Sequence, residues 1–105
     1  MIRISLVIPT HNRAQQLIAA LESVVRQTLP AAAWECVVVD NNSADDTPEC
    51  FAAFAAAHPE CNLRRVEERR PGVSYARNRG LDEARAPIVA FIDDDERINE
   101  SFLQS

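Results

Sequence analysis

The chain has 105 residues, 47% hydrophobic and 26% charged, which fits one globular domain with a single core. Sixteen acids against eleven arginines leave a net charge of -5, so a phosphate-tracking nucleic-acid surface is not expected. Lysine is absent, which excludes a Schiff-base or P-loop lysine, and three cysteines without CxxC spacing or a histidine cluster indicate neither a disulfide framework nor a zinc site.

The first element is "RISLVIP" (3 to 9), a short β-branched run stopped by Pro9 and far too short for a signal or membrane segment. "NRAQQLIAALESVVRQTL" comes next, with Leu17, Ala20, Leu21, Val24 and Val25 at helical spacing, and Asn12 or Thr10 is expected to cap it. "WECVVVD" (34 to 40) is a second continuous apolar strand. "SADDTPECFAAFAAAH" reads as a helix, with Ser43 and Asp46 at capping-box spacing and Pro48 in the first turn. "NLRRVEE" is a weaker strand, and "VSYARNRGLDEARA" a third helix that Gly80 is expected to interrupt. "APIVAFID" (86 to 93) closes the series as a strand, and a new helix is expected to begin in "INESFLQS". Cys36, Cys50 and Cys61 are read as core thiols of a cytoplasmic protein.

Continuous rather than alternating apolar strands mark a parallel sheet covered on both faces, and the order β-α-β-α-β-α-β implies right-handed crossovers in an α/β layer architecture. Ligands of such sheets bind beyond the carboxyl ends of the strands, near the point where strand order reverses. Three strand ends deliver polar groups to that rim: "PTHNR", "DNNSADDT" and "DDDE".

The aspartates carry the most information. Two unit charges ~4 Å apart repel by about 1 kcal/mol in water and ~4 kcal/mol at an effective dielectric near 20, so a half-buried cluster costs stability unless a cation offsets it, with a solvated acidic turn as the plain alternative. Mg²⁺ or Mn²⁺ held by one or two carboxylates, with phosphate oxygens and water, would serve. Strand alternation groups Asp93 with Asp95 and sets Asp94 apart. With two glycines and no GxGxxG or GxxxxGK[ST], phosphate would fall to a metal and to arginines, with Arg13, Arg77 and Arg79 as candidates. A phosphoacceptor signalling domain would need an acid pair after the first strand and a late lysine, and the sequence has neither.

The ordered set "LVIPTHNR", "VVVDNNSADDT", "GVSYARNRG" and "VAFIDDDE" resembles the family 2 glycosyltransferases over residues 4 to 96. The fold this implies is three-layer α/β/α with a mainly parallel four-stranded sheet in order 3-2-1-4, the Rossmann-like nucleotide-binding half of the GT-A fold. The activity it implies is an inverting, metal-dependent transfer of a sugar from a UDP, GDP or dTDP sugar to an acceptor, with Mg²⁺ or Mn²⁺ as cofactor. By the same resemblance Thr10 and Arg13 line the nucleotide pocket, Asp40 holds the base, Arg77 and Asn78 face the nucleotide, and Asp93 and Asp95 form the DxD motif. Asp93 would then lie toward the ribose and the metal, and Asp95 on the metal. The sequence departs from the family at "DNNS", where a second acid and a glycine are usual.

Family 2 catalytic domains run to roughly twice this length, so the resemblance implies a donor half over residues 1–105, cut at its C-terminus. The acceptor site and catalytic base are then expected outside it, and no residue here is assigned as the base. A noncatalytic nucleotide- or metal-binding module is the alternative, told apart by turnover when both halves are present. Self-association is expected through "IVAFI", left as an open sheet edge.

Overall fold

The structure, a computed structural model, describes residues 2–104. Four strands, β1 (Ile4–Thr10), β2 (Trp34–Asp40), β3 (Leu63–Glu67) and β4 (Ile88–Phe91), alternate with helices α1 (Ala14–Val25), α2 (Thr47–Ala57) and α3 (Val73–Glu83). All strand pairs are parallel, in the order β3-β2-β1-β4, which is the expected topology. Strand order reverses between β1 and β4.

Two apolar clusters explain why the strands are continuous in hydrophobicity. Successive strand residues face opposite sides. Leu6, Ile8, Cys36 and Val38 meet Leu17, Leu21 and Val24 of α1 and Phe51 of α2, while Val7, Val37 and Val39 meet Ala76 of α3. All seven residues of β2 are buried. Cys36 is fully buried, as expected of a core thiol, but Cys50 and Cys61 are half-buried: Cys50 lies on α2, which buries Thr47 and Phe51, and Cys61 packs against the first cluster from the loop before β3.

The helix caps differ from the expectation. Arg13 occupies the cap position of α1 without a side-chain cap; Thr10 and Asn12 do not cap it, because both side chains are spent on neighbouring loops. Ser43 and Asp46 form no capping box; the Asp45 carboxylate accepts the Thr47 N–H (3.0 Å) and hydroxyl instead. Nor does Gly80 interrupt α3, which runs through it to Glu83. The glycine is there for contact: an added Cβ would lie 2.3 Å from Val7 Cγ1. The last segment forms a 3-10 turn at Phe102–Gln104 rather than a longer helix.

Residues beyond β4 are strapped to α1. Ile98 N–H donates to Ser23 Oγ (3.1 Å), Gln27 Nε2 to Asn99 O (2.7 Å), and Leu103 N–H to Gln27 Oε1 (3.0 Å). At the opposite end of the sheet, buried Glu35 accepts from Ser5 Oγ (2.6 Å), Arg85 N–H (2.8 Å) and Arg64 Nε (3.4 Å). Burial works to raise its pKa, yet these partners together hold it below the ordinary value. This cluster ties together the start of the strands, at the end of the sheet away from their carboxyl ends. No helix among the described residues is long and apolar enough to cross a membrane.

In an unobstructed helix, Gly→Ala gains roughly 0.5–1 kcal/mol. For Gly80→Ala the expected sign is reversed, a loss of about 1–3 kcal/mol in urea unfolding from forcing Val7 aside. A variant more stable than the parent would disprove the close approach of α3 to β1.

Candidate functional site

The rim is built by continuing the strand registers past the last ladder bonds. Ile4 pairs with Ile88, and the same separation of 84 residues brings Asp94 to Thr10, whose Oγ1 donates to Asp94 Oδ2 at 2.9 Å. The β1–β2 register likewise places His11 against Asn41, with Nδ1 2.6 Å from the Asn41 carbonyl. The β2–β3 register sets Asn41 beside Glu68, and Asn41 Nδ2 donates to the Glu68 carbonyl at 2.9 Å.

Asn41 joins three points of the loop before α3: its amide donates also to Arg70 O (2.7 Å), and its Oδ1 accepts the Gly72 N–H (3.0 Å). Gly72 needs its lack of a side chain here, at φ +124°. Within that loop the Arg70 side chain and backbone N–H bond the Glu68 carboxylate and hold its pKa down at about 2. The guanidinium lies 4.5 Å above the Tyr75 ring.

Asn12 is the second clasp. At φ 52°, its N–H donates to Ser43 Oγ (2.9 Å) and its Oδ1 accepts the Ala44 (2.6 Å) and Asp45 (3.3 Å) N–H groups. Asn42 has φ 59°, a left-handed conformation that asparagine tolerates better than most residues. This explains physically how "DNNS" makes the turn where a glycine is usual.

The aspartates divide by environment. They sit in a turn beyond β4 rather than in the strand, closed by Glu96 N–H on Asp93 O (3.1 Å) and Asp93 N–H on Glu96 Oε1 (2.7 Å). Asp94 is buried on Thr10 and Arg13; Asp93 and Asp95 are exposed. A cleft of about 480 Å³ opens between them, lined by Thr10, His11, Arg13, Asn41, Gly72 and Asp93 to Asp95 among others. It lies where strand order reverses, between the ends of β1 and β4.

Thr10, Arg13, Asp93 and Asp95 are thus brought together. Asp40, Arg77 and Asn78 are not among the lining groups. Asp40 is fully buried and held by Arg65 Nε (3.0 Å) and Nη2 (2.9 Å) and the Ser43 N–H (3.1 Å). Arg77 and Asn78 lie on the exposed side of α3, and Arg79 pairs with Glu83 and the Glu67 carbonyl. Sequence reasoning brought His11 and Asn41 to the rim without giving either a role, which emerges from register alone, and it missed Ala76, which lines the cleft from α3.

Among the described residues no three His, Cys, Asp or Glu side chains gather into a metal cage. Two exposed carboxylates beside a cleft fit a different arrangement, a cation shared with phosphate oxygens and water.

An open parallel α/β sheet with an acid-lined cleft at its switch point defines a Rossmann-like domain. The model of glycosyl transferase family 2 matches residues 5–105, and the chain belongs to that family. Glycosyltransferase AglE of Haloferax volcanii is 33% identical over 101 residues, covering 96% of this chain and 33% of its own. Poly(ribitol-phosphate) beta-N-acetylglucosaminyltransferase TarS of Staphylococcus aureus is 30% identical, over 99% of this chain and 18% of its own. Among solved structures, the mannosyltransferase PcManGT from Pyrobaculum calidifontis, in complex with GDP-Man and Mn²⁺, superposes with a TM-score of 0.86 at 35% identity, covering 90% of this chain and 28% of that one. A Staphylococcus aureus TarS structure with UDP-GlcNAc gives 0.84 at 29% identity, covering 98% and 29%. The chain spans about a third or less of the length of these curated relatives.

Asn41→Ala removes the side-chain partner of the Glu68 and Arg70 carbonyls and the Gly72 N–H. A loss of about 1–3 kcal/mol is expected, with faster amide hydrogen exchange confined to residues 68 to 73. Unchanged protection there would show that the clasp does not hold the loop.

Proposed function

We propose that the chain is the donor-binding half of an inverting, metal-dependent glycosyltransferase acting on a nucleoside diphosphate sugar. The observation that carries this reading is the cleft at the β1–β4 switch point, where Thr10 and Arg13 face the turn bearing Asp93 and Asp95. The GDP-Man and Mn²⁺ complex of one neighbour and the UDP-GlcNAc complex of another support it.

In this reading Arg13 and Thr10 bound the diphosphate side of the cleft, and Asp93 and Asp95 of the DxD motif hold the divalent cation, Asp93 reaching the ribose as well. The cation would act as a Lewis acid on the departing diphosphate. Asp94 keeps the turn in place through Thr10. Contacts from Asp40, Arg77 and Asn78 would come from outside the cleft lining, so the proposal rests on the other four. Inversion requires a base for the acceptor hydroxyl, and that base is placed in the part of the catalytic domain that this chain does not span. The free thiols fit a reducing, cytoplasmic location.

Calorimetric titration of UDP, GDP and dTDP sugars with and without Mn²⁺ is expected to show metal-enhanced binding of at least one donor, and Asp95→Asn to abolish the enhancement. Absence of metal-dependent binding to all three would sink the reading.

A second copy is proposed to occupy the open edge of β4, where Ile88 and Phe91 are 58% and 38% exposed and β1 is the sole strand neighbour among the described residues. Analytical ultracentrifugation is expected to show a concentration-dependent dimer, and a strictly monomeric profile at high concentration would count against it.

A further inference from the structure

The Arg13 guanidinium bridges two of the acids. Its Nη1 is 3.2 Å from Asp94 Oδ1 and 3.8 Å from Asp95 Oδ2. The two acids are held unequally. Asp94 is 8% exposed at the side chain and doubly bonded, through Thr10 as well; Asp95 is 59% exposed and reaches Arg13 across the longer gap. Among the described residues the Arg13 side chain, 53% exposed, has no other partner. Arg13 is thus, among the described residues, the one cation paired with the aspartates of the turn, and its weaker hold is on the carboxylate assigned to the metal.

We propose that Arg13 is the resident counter-cation of the acid turn, and that a bound diphosphate draws it off Asp95, clearing that carboxylate for the divalent cation. The inference rests on the donor-site reading and adds to it a coupling between two ligands. A guanidinium and a divalent cation repel each other beside one carboxylate, so Arg13 weakens metal binding while the cleft lacks phosphate. Phosphate oxygens offer the guanidinium a bidentate partner better than a half-exposed acid at 3.8 Å. Once the guanidinium has turned from Asp95 to phosphate, keeping its bond to buried Asp94, its charge assists the diphosphate and no longer competes at Asp95. By linkage, each ligand then tightens the other by the same factor.

An arginine that simply bound phosphate would leave the affinity for metal alone unchanged when removed, and one that merely held the turn would weaken both ligands. The counter-cation role predicts opposite signs. Mn²⁺ alone, followed by loss of its free-ion electron paramagnetic resonance signal, is expected to bind Arg13→Ala about threefold to fivefold more tightly than the parent chain, the size of releasing one half-exposed ion pair. Arg13→Lys, which keeps the charge, is expected to stay near the parent, and Arg13→Gln to behave like Arg13→Ala should the smaller side chain disturb folding. UDP and GDP, by calorimetry, are expected to bind Arg13→Ala several-fold more weakly, and the factor by which they tighten Mn²⁺ to shrink. Uridine and guanosine, which carry no phosphate, are expected to bind all variants alike.

Mn²⁺ binding to both neutral variants no tighter than to the parent overturns the inference, even where Mn²⁺ and a diphosphate still bind together and the donor-site reading stands. Failure of the parent to bind Mn²⁺ with either diphosphate present overturns both.

Discussion

The register between β1 and β4 is the constraint on which the site depends. Once Ile88 lies opposite Ile4, the parallel ladder dictates the path beyond β4: the chain leaving Phe91 runs beside the end of β1 and Asp94 arrives at Thr10. A shift of one residue would turn Asp94 to the other side of the sheet and bring a neighbouring aspartate against the Thr10 hydroxyl. What holds the register is burial, since Leu6 and Ile8 face one apolar layer and Val7 the other. The hydrophobic pattern of the core thereby decides which carboxylate is enclosed and which two are left for solvent or ligand.

Geometry then sets the electrostatics. A nearly enclosed carboxylate such as Asp94 is costly unless its lone pairs are met, and here a hydroxyl and a guanidinium meet them. Asp40 solves the same problem with Arg65 and a backbone N–H, and Glu68 with Arg70. Among the described residues, no buried side-chain nitrogen or oxygen lacks a hydrogen-bond partner. The buried acids of the rim are thus each paired, while among the described residues Asp93 has no cation partner and Asp95 shares Arg13 across 3.8 Å.

The sheet and its order were legible because the apolar runs are continuous and the helices periodic; "WECVVVD" matches β2 residue for residue. The aspartates were legible in part: four consecutive acids after an apolar run marked a strand exit, but the strand was expected to reach Asp93 and it ends at Phe91, leaving the acids in a turn. What local reading missed were contacts made at long range. Gly80 looks like a helix breaker until Val7 is seen beneath it. Asn12 and Thr10 look like caps because the sequence does not show that Ala44 and Asp94 compete for them. His11 and Asn41 gain their roles from a register 30 residues apart, which no window of sequence contains.

The strap beyond β4 has an entropic consequence. Ile92 is fixed by its N–H on Val7 O, and Ile98 by its N–H on Ser23 Oγ. The acids thus sit on a short span anchored at both ends, and each residue so ordered costs about 1–2 kcal/mol of backbone freedom. That cost is met when the chain folds, by the packing of Ile98 and Leu103 against the core that α1 shares. A ligand entering the cleft therefore finds a preorganised turn, and more of its binding energy survives as affinity.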